Sequence, residues 1–503
     1  MNFFKHISLL LFTVILFTGC DSSLDGELNK NQLPTTNLTV ERINRGDDFR
    51  LSSQIEISWW GNDPDGYIVG YEYAINDTSE GNWTFTEKSD SLFILPITEG
   101  QSEDEVLFKV RSVDNDGAKD PVGASLVYPI VNTKPEVQIN RNESPPDTLF
   151  SISSFGWEIE DKDGLGNIDR TEIALNDTLN GWVSIPLPEE DETQLFVSLA
   201  VDNTQPGIQT AQVFQGRAYN RAVDKDGNPV EVPGMEVGAR NIFYVRVVDA
   251  AGAVSNVDTL SWFVKQQQSD VLFINDDGGI NSLPNQQAHL NLLAELGIHP
   301  DVWMINGGEV EQQKIALSEA FPAVIDPTLK KTLAKWDHIY WISDNIDRNI
   351  TYALDITSDF FNNGGSMFVN IPMKGISQED EIFNFLPVDS IGVLEGIQTN
   401  FLVNGNVDVN PVDVSTDVVL KTESRSTGVF PLKPISGATL LYETDFKATT
   451  IIGVNQDYQG FEGVGIENPE GDLAYFGMDL VNLNGNNNLA ELIEFVCRQR
   501  LGF

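Results

Sequence analysis

The sequence predicts a multidomain protein in which two all-β sandwiches are followed by an α/β domain with a mainly parallel sheet. Three observations favour this fold class. The chain has 503 residues, which is enough for about three domains of roughly 150 residues each. A segment in the first half is repeated in order and in kind, with the alternation of apolar and polar residues typical of half-buried strands. From Ser269 onward, short apolar runs alternate with segments of helical periodicity.

The internal repeat joins residues 54–85 to residues 154–185. Both copies hold a tryptophan, a D-x-D-G turn, an N-D-T triplet and a second tryptophan in the same order. Each copy is followed by a matching strand and turn, FKVRSVDNDGA in the first and FYVRVVDAAGA in the second. A repeat of this detail predicts two copies of one folded module. The aligned residues are Trp60 with Trp157, Trp83 with Trp182, and residues 63–66 with residues 161–164.

The two modules resemble bacterial fibronectin type III and related immunoglobulin-like domains. The likeness rests on the tryptophan of an early strand and on the late strand F/Y-x-V-R-x-V-D. It covers residues 37–132 and 134–265, with an insertion in the second module at about 205–238. Short antiparallel strands separated by Gly, Asp, Asn and Pro turns are typical of such sandwiches. The resemblance implies modules that bind, space or dock rather than catalyse.

The paired carboxylates of the D-x-D-G turns allow two interpretations. Asp63 and Asp65 in the first module, and Asp161 and Asp163 in the second, are oxygen ligands of the kind that calcium prefers. Neither turn continues into a complete EF-hand loop, because the bidentate Glu at its end is missing. Asp and Gly are also frequent turn residues in their own right. Turn formation is the favoured interpretation, and calcium is the alternative and the one cofactor that the sequence suggests.

The repeated tryptophans also have two interpretations. Trp60, Trp83, Trp157 and Trp182 would suit stacking on sugar rings, because large aromatic faces bind apolar sugar surfaces. They recur at equivalent places in both copies, however, as residues of a module core do. Core packing is therefore the favoured role of all four.

From Ser269 the sequence predicts alternating strands and helices. Buried strands are expected at residues 270–275, 301–305, 338–343, 366–371 and 472–478, with amphipathic segments between them. Strands that alternate with helices form a parallel sheet.

The phrases VLFINDDGG, WDHIYWISDN, FFNNGGSMFVN and GDLAYFGMDL resemble the class I glutamine-amidotransferase-like domain of secreted bacterial proteins, which has a flavodoxin-like α/β fold. The likeness covers residues 269–376 and 437–503. Between them lies a Val- and Asn-rich insert at about 377–436, which we expect to be β structure. The predicted domain is therefore residues 269–503.

The amidotransferase resemblance implies a cysteine nucleophile at a strand-to-helix elbow and a histidine near a later strand. Neither stands at those places: the elbow reads PMKG at residues 372–375, and the late strand ends in GMD at residues 477–479. Cys497 shares a helical stripe with Leu489, Leu492, Ile493 and Val496, which predicts core packing. We therefore expect no amidotransferase or thiol-hydrolase activity and assign no catalytic residue.

Four aspartates follow strands of the predicted parallel sheet, namely Asp276, Asp277, Asp344 and Asp479. Ligands of open α/β sheets bind at the carboxyl ends of the strands. If the strands are neighbours, these carboxylates converge on a crevice that would hold calcium or magnesium, or orient a sugar. Loop capping by each Asp is the alternative and the favoured one.

Two functions follow from these patterns. The main hypothesis is a non-enzymatic binding or structural protein, in which the sandwiches form a stalk and the α/β domain is a head. The rival hypothesis is a carboxylate-dependent hydrolase of glycan or peptide at the head. That activity needs two carboxylates that face each other across a cleft, one with a raised pKa.

The first twenty residues have the three-part pattern of a secretory signal. Lys5 precedes an apolar run at residues 7–17, and Thr18-Gly19-Cys20 supplies small residues and a cysteine. The run is well short of the roughly 20 residues that span a bilayer. The cysteine after Thr-Gly makes the segment resemble a bacterial lipoprotein signal. The resemblance implies a signal peptide at residues 1–19, cut before Cys20, and acyl chains such as palmitate on Cys20.

Lipid on Cys20 would make this an exported, membrane-anchored protein, on the periplasmic or cell-surface side and in the outer membrane. Several acyl chains hold a protein stably where one does not. Residues 20–36 are polar and predict a flexible tether. An ordinary signal peptide with an incidental cysteine is the alternative.

Charge restricts the partners. Asp and Glu total 75 against 31 Lys and Arg, which gives a net charge of -44. Such a field repels nucleic acid and anionic lipid surfaces and favours cations. The expected partners are a membrane, through Cys20, and a protein or glycan ligand. The other cysteine is Cys497, so lipid on Cys20 would preclude an intrachain disulfide.

Overall fold

The computed structural model describes residues 30–40, 51–187, 194–279, 281–305, 309–310, 313–314, 321–346, 348–372, 381–450 and 452–503. These residues are mostly β and form several sheets. The chain divides into two compact units, Met1–Asn132 and Thr133–Phe503. Over the described ranges, none of the helices combines the length and the apolar composition needed to cross a bilayer. The predicted signal peptide and Cys20 lie outside the described residues.

The first unit contains a β-sandwich of a three-stranded and a five-stranded sheet. Its strands are β1 Thr35–Val40, β2 Leu51–Ser52, β3 Gln54–Asn62, β4 Ile68–Ile75, β5 Thr84–Thr86, β6 Asp90–Ile94, β7 Glu103–Asp114 and β8 Ala124–Val131. The sheet orders are β1-β3-β6 and β2-β8-β7-β4-β5. Ile55, Ile57 and Trp59 of β3 are buried between the sheets, so the alternation of apolar residues along the strand matches its burial.

The second unit begins with a sandwich of the same strand order, enlarged by three strands. Its strands are β9 Glu136–Asn140, β10 Thr148–Leu149, β11 Ile152–Glu160, β12 Ile168–Leu175, β13 Val183–Ile185, β14 Gln194–Ala200, β15 Gly207–Gln215, β16 Asn220–Arg221, β17 Glu231–Val237, β18 Arg240–Asp249 and β19 Asp258–Val264. The orders β9-β11-β14 and β10-β19-β18-β12-β13 repeat those of the first unit. Strands β15 to β17 extend the first of these sheets beyond β14. Most residues of the insertion at about 205–238 therefore lie in strands.

The structure corrects the alignment of the early tryptophans by one residue. Trp59 pairs with Leu38 of the first strand, as Trp157 pairs with Ile139. Trp59 and Trp157 are buried, whereas Trp60 is 51% exposed. Core packing is therefore right for Trp157 and wrong for Trp60, because neighbouring strand residues point to opposite faces of a sheet.

After residue 269, helices lie between the strands as far as residue 370, and most of the elements that follow are strands. The elements are β20 Val271–Asn275, α1 Ser282–Glu295, β21 Asp301–Met304, β22 Glu309–Val310, β23 Gln313–Lys314, α2 Lys330–Leu333, β24 His338–Ile342, α3 Ala353–Ile356, α4 Ser358–Asn362, β25 Ser366–Asn370, β26 Val388–Ile391, β27 Gln398–Val403, β28 Asp408–Pro411, β29 Leu420–Lys421, β30 Ser426–Thr427, β31 Leu432–Pro434, β32 Thr439–Thr444, β33 Lys447–Thr450, β34 Asn455–Asp457, β35 Gly463–Glu467, β36 Leu473–Phe476 and α5 Leu489–Ile493. Further helical turns, tighter or wider than an α-helix, are Arg141–Glu143, Leu165–Asn167, Ile325–Leu329, Asn349–Tyr352, Glu381–Asn384, Leu480–Leu483 and Glu494–Arg500.

One large sheet organises this part of the chain. Its order is β21-β20-β24-β25-β36-β35-β32-β28-β29, and the first five strands are parallel neighbours. The strands from β35 onward join antiparallel. Described parts of the insert at about 377–436 contribute β26, β28, β29 and β31 to this sheet. They contribute β27 and β30 to a separate sheet of order β30-β27-β33-β34.

The second sandwich and the large sheet share one hydrophobic cluster. It runs from Ile139 through Trp262 of the sandwich to Trp341 and Tyr475 of the large sheet. Phe150, fully buried, makes edge contacts with Trp303 at 5.4 Å and with Trp336 at 4.8 Å between ring centroids. Burial of this joint apolar surface is what holds the unit Thr133–Phe503 together.

Candidate functional site

The carboxyl ends of four parallel strands lie in one register. Asn275 of β20 is opposite Ile342 of β24, which is opposite Asn370 of β25, and Asn370 is opposite Phe476 of β36. The residues that follow each strand therefore emerge at the same edge of the sheet. Asp276 and Asp277 follow the end of β20, Asp344 follows the end of β24, and Asp479 follows the end of β36.

A small cavity of about 60 Å³ lies at this edge, and three of the four predicted aspartates line it. We call it the carboxyl-end crevice. Its other walls combine polar groups with the strand ends. The lining residues are Asp277, Asn285, His289, Ile342, Ser343, Asp344, Asn370, Pro372 and Asp479.

The fourth aspartate, Asp276, does not line the crevice. Its carboxylate is fully buried and accepts hydrogen bonds from Asn349 Nδ2 at 2.8 Å and from the Ile350 amide at 3.2 Å. Burial raises the pKa of Asp276 to about 7. Asp276 therefore holds the start of the helical turn Asn349–Tyr352, which agrees with the capping interpretation for this residue.

Asp277 and Asp344 lie on either side of Gly279. A Cβ built on Gly279 would be 3.1 Å from Asp277 Oδ1 and 3.5 Å from Asp344 Oδ2. Asp277 accepts from the Gly279 amide at 2.8 Å and from Asn285 Nδ2 at 2.7 Å. Burial raises the pKa of Asp277, and the charge of Asp344 adds to the effect. The absence of a side chain at residue 279 thus leaves the space between the two carboxylates open.

Asp344 and Asp479 each have a local backbone role as well. Asp344 Oδ1 accepts from the Gly278 amide at 3.2 Å and from Arg348 Nε at 3.3 Å. Asp479 caps the helical turn Leu480–Leu483 by accepting from the Val481 amide at 3.0 Å. Capping and lining of the crevice are therefore combined in the same side chains.

Sequence reasoning missed four polar residues of the crevice, namely Asn285, His289, Ser343 and Asn370. Asn285 and His289 are four residues apart on α1, so they lie on one helix face above the strand ends. His289 is buried, its Nδ1 is 2.9 Å from Tyr340 Oη, and burial lowers its pKa to about 4. Asn370 binds the backbone carbonyls of Phe476 and Met478. The spacing of Asn285 and His289 behind the strand was the signal that could have found them.

The crevice contains a hydroxyl and an imidazole, but they do not form a nucleophile–base pair. Ser343 Oγ donates to the carbonyls of Asp276 at 3.1 Å and Asn345 at 2.8 Å. His289 is bonded to Tyr340. Cys497 is fully buried among the apolar residues of the last helix, and burial raises the pKa of its thiol. Of the predicted elbow, Pro372 lines the crevice and residues 373–375 lie outside the described residues.

In the described ranges of the chain, no group of three or more His, Cys, Asp or Glu side chains is arranged to hold a metal ion. The crevice carboxylates bind backbone amides, an asparagine and an arginine. Calcium or magnesium at Asp277, Asp344 and Asp479 stays a prediction.

The D-x-D-G turns of both modules bind the segment that precedes the first strand. Asp65 accepts from the Gln32 amide at 3.1 Å, and Asp163 accepts from the Thr133 amide at 2.5 Å and from Thr133 Oγ1 at 2.6 Å. Burial raises the pKa of Asp63, and it raises that of Asp161 to about 6. These contacts are those of turn residues, while calcium at the four positions stays a prediction.

The second tryptophan of each repeat is covered by an arginine. The Arg111 guanidinium lies 4.0 Å from the ring centre of Trp83, and that of Arg246 lies 4.0 Å from the ring centre of Trp182. Both arginines are held by a glutamate of the neighbouring strand, as in the pair Arg111–Glu72. A guanidinium on an aromatic face is a cation–π contact. One face of each ring is therefore already occupied by protein.

Two mostly antiparallel sheets with this strand order are typical of the fibronectin type III and immunoglobulin-like fold. Solved structures to which the chain is similar include fibronectin(III)-like modules of Clostridium thermocellum CbhA, at 16% identity over 46% of this chain and 95% of that chain, with a TM-score of 0.17. A two-domain fibronectin type III segment of chicken tenascin matches at 10% identity over 46% of this chain and 99% of that chain, with a TM-score of 0.18.

The glutaminase domain of Trypanosoma brucei CTPS is also similar, at 12% identity over 44% of this chain and 93% of that chain, with a TM-score of 0.26. Likenesses of this size carry no functional argument. No protein-family model and no curated protein matches the chain.

Proposed function

We propose that this protein is an exported lipoprotein, anchored through lipid on Cys20, that binds a ligand without transforming it. In this proposal the sandwich modules are a non-enzymatic stalk. Residues 269–503 are an amidotransferase-like α/β head that has lost its nucleophile, and the carboxyl-end crevice is its binding site.

The observation that supports the binding role is the enclosure of Asp277, Asp344 and Asp479 around one cavity. Three carboxylates favour a cationic or hydroxyl-rich group, because they attract positive charge and accept hydrogen bonds. The cavity of about 60 Å³ holds a group of roughly two water volumes. That space suits an ion or an amine better than a sugar ring.

Thermal unfolding of the full chain with calcium or magnesium chloride tests the crevice. A ligand that binds only the folded state raises the melting temperature. We expect a rise of a few degrees, of the order of 1 kcal/mol at a concentration near ten times Kd. Asp277→Asn and Asp479→Asn should abolish the rise. Gly279→Ala, which places a methyl group between Asp277 and Asp344, should abolish it too.

Asp355→Asn is the matched control, since Asp355 is an exposed aspartate of the same unit and does not line the crevice. It should keep the full rise. If the wild-type melting curve is the same with and without either cation, the crevice is not a cation site and its aspartates only cap loops.

Membrane fractionation tests the anchor. Cys20→Ser should release the protein into the soluble fraction, because the lipid that attaches at Cys20 is the anchor in this proposal. A variant that still sediments with membranes after a high-salt wash contradicts the lipoprotein proposal while leaving the crevice proposal intact.

A further inference from the structure

A larger cleft lies at the opposite edge of the parallel sheet, where β20 and β24 begin. Its volume is about 1000 Å³, against about 60 Å³ for the carboxyl-end crevice. Three parts of the unit Thr133–Phe503 form its walls: the end of the second sandwich, the loop after α1, and the last residues of the chain. We call it the amino-edge cleft, defined by Thr204, residues 266–271, residues 297–299, Lys335, Asp337, Arg498 and Phe503.

The amino-edge cleft contains basic side chains that form no ion pair with a described residue, beside the carboxylates of Asp270 and Asp337. Among the arginines that the structure describes, all but Arg425 and Arg498 form ion pairs, as expected in a chain with net charge -44. Arg498 lines the cleft, and so does Lys335, whose ammonium group forms no ion pair with a described residue. Exposed His299 adds a third basic side chain.

Arg498 is positioned by a hydrogen bond to an uncharged backbone group, so its positive charge is not neutralised by that partner. Its guanidinium donates to the backbone carbonyl of Leu296 at the end of α1. A guanidinium has five N–H donors, and this bond uses one of its terminal groups. The other donors remain available for a planar oxyanion such as a carboxylate.

Most of the other residues that line the amino-edge cleft are polar. Gln266 and Gln267 donate through Nε2 to backbone carbonyls of Thr204 and Lys335, each at 3.0 Å, which fixes their amide groups at the cleft. Their amide oxygens remain acceptors, and the carboxylates of Asp270 and Asp337 line the same space. Such groups accept hydrogen bonds from hydroxyls.

An apolar surface completes the lining. The ring of Phe503 lines the cleft and stacks on His338 at 4.7 Å between ring centroids. Amide and carboxylate acceptors beside an aromatic ring are the combination that sugar rings require, with hydroxyls on their edges and apolar C–H faces.

We propose that the amino-edge cleft binds an oligosaccharide that carries carboxylate groups, through Lys335 and Arg498 to the carboxylates and through the amides and Asp side chains to the hydroxyls. The two unpaired cations select an acidic over a neutral sugar, because each carboxylate would gain a charge-assisted hydrogen bond. The volume of about 1000 Å³ is at the upper end of ligand sites, which is enough for several sugar units. This site is separate from the carboxyl-end crevice.

Calorimetric titration of the full chain carrying Cys20→Ser tests the proposal, with trigalacturonate as the acidic probe and maltotriose as the neutral one. Trigalacturonate should bind and maltotriose should not, because only the acidic sugar offers carboxylates to Lys335 and Arg498. Lys335→Gln should raise Kd about tenfold, the loss of one charge-assisted hydrogen bond. Arg498→Gln should do the same, but it also removes the bond to Leu296.

Lys225→Gln is the matched control, because Lys225 is an exposed lysine of the same unit outside the cleft. It should leave Kd unchanged, and Asp277→Asn should as well, since that residue belongs to the other site. The proposal is overturned if trigalacturonate gives no binding heat. Equal binding of maltotriose, or an unchanged Kd in Lys335→Gln, overturns it too.

Discussion

Asp163 accepts two hydrogen bonds from one residue, the amide of Thr133 at 2.5 Å and its hydroxyl at 2.6 Å. The bonded carboxylate is fully buried, so its loss would leave buried donors without a partner. We predict that Asp163→Ala lowers the free energy of unfolding of the second unit by about 2 kcal/mol, measured by urea denaturation.

The equivalent change in the first module, Asp65→Ala, is the control. Asp65 is exposed and accepts from the Gln32 amide at 3.1 Å. Water replaces such a bond readily, so we expect a cost under about 1 kcal/mol. Equal costs for the two variants would contradict the structural role assigned to Asp163.

The position of Phe150 between two tryptophans predicts joint unfolding of the second sandwich and the large sheet. Phe150→Ala should cost about 3 to 5 kcal/mol, as truncation of a buried phenylalanine does. Hydrogen exchange of the variant should speed up in residues 136–264 and in residues 271–305 together. Phe108→Ala, in the separate cluster of the first unit, should leave exchange in both ranges unchanged. Faster exchange in the sandwich alone would show that the shared cluster is not a cooperative core.

The raised pKa of Asp276 predicts that the difference in stability between wild type and Asp276→Asn depends on pH. Its pKa is about 7 in the folded protein, against an ordinary value of 3.8. Between these values the folded state binds more protons than the unfolded state, so stability falls as pH rises from 4 to 7. Wild type should therefore lose stability relative to Asp276→Asn over that range, with a slope of up to about 1.4 kcal/mol per pH unit.

His289 supplies the control of opposite sign. Burial lowers its pKa to about 4 from 6.5, so its contribution to stability is lost as pH falls from 6.5 to 4. Wild type should lose stability relative to His289→Gln in that direction. Denaturant titrations at several pH values measure both slopes, and a difference between wild type and Asp276→Asn that does not change with pH would be inconsistent with a buried carboxyl group.

Cys497 is predicted to be a packing residue. Because it is fully buried and burial raises the pKa of its thiol, few molecules carry the reactive thiolate. In a chain with Cys20→Ser, a thiol reagent at neutral pH should label Cys497 only as fast as the protein unfolds. Cys497→Ala should cost about 1 kcal/mol through lost packing. Rapid labelling of the native protein would argue for an accessible, functional thiol.

The sequence was most informative where residue spacing alone decides which side chains are buried. The alternation of Ile55, Ile57 and Trp59 matches the buried face of β3. Aligning Trp60 with Trp157 failed because it overlooked the spacing to the D-x-D-G turn, which is four residues from Trp59 to Asp63 and from Trp157 to Asp161. The pairing of Trp59 with Leu38 and of Trp157 with Ile139, which the structure supplies, settles the register.

The candidate site was less predictable for a similar reason. Strand ends located Asp277, Asp344 and Asp479 at one edge of the sheet, but beyond the end of a strand the alternation no longer fixes where a side chain points. Asp276, one residue before Asp277, is turned instead toward Asn349. The amino-edge cleft could not be predicted from the sequence. Its residues Gln266, Lys335 and Arg498 are far apart in the chain, and only tertiary packing brings them together.

The contact of Phe150 with Trp303 and Trp336 also restricts how the modules of this chain can be exchanged in evolution. A duplicated module can be gained, lost or exchanged freely while it needs nothing beyond its own core. Phe150 of the second sandwich packs against Trp303 and Trp336 of the residues that follow it. Loss of this sandwich would expose both buried tryptophans, and only a module with an aromatic ring at the same place would cover them again. The second copy and the residues after it are thus expected to descend together as one block, and homologues should vary in the number of preceding sandwiches but keep this one.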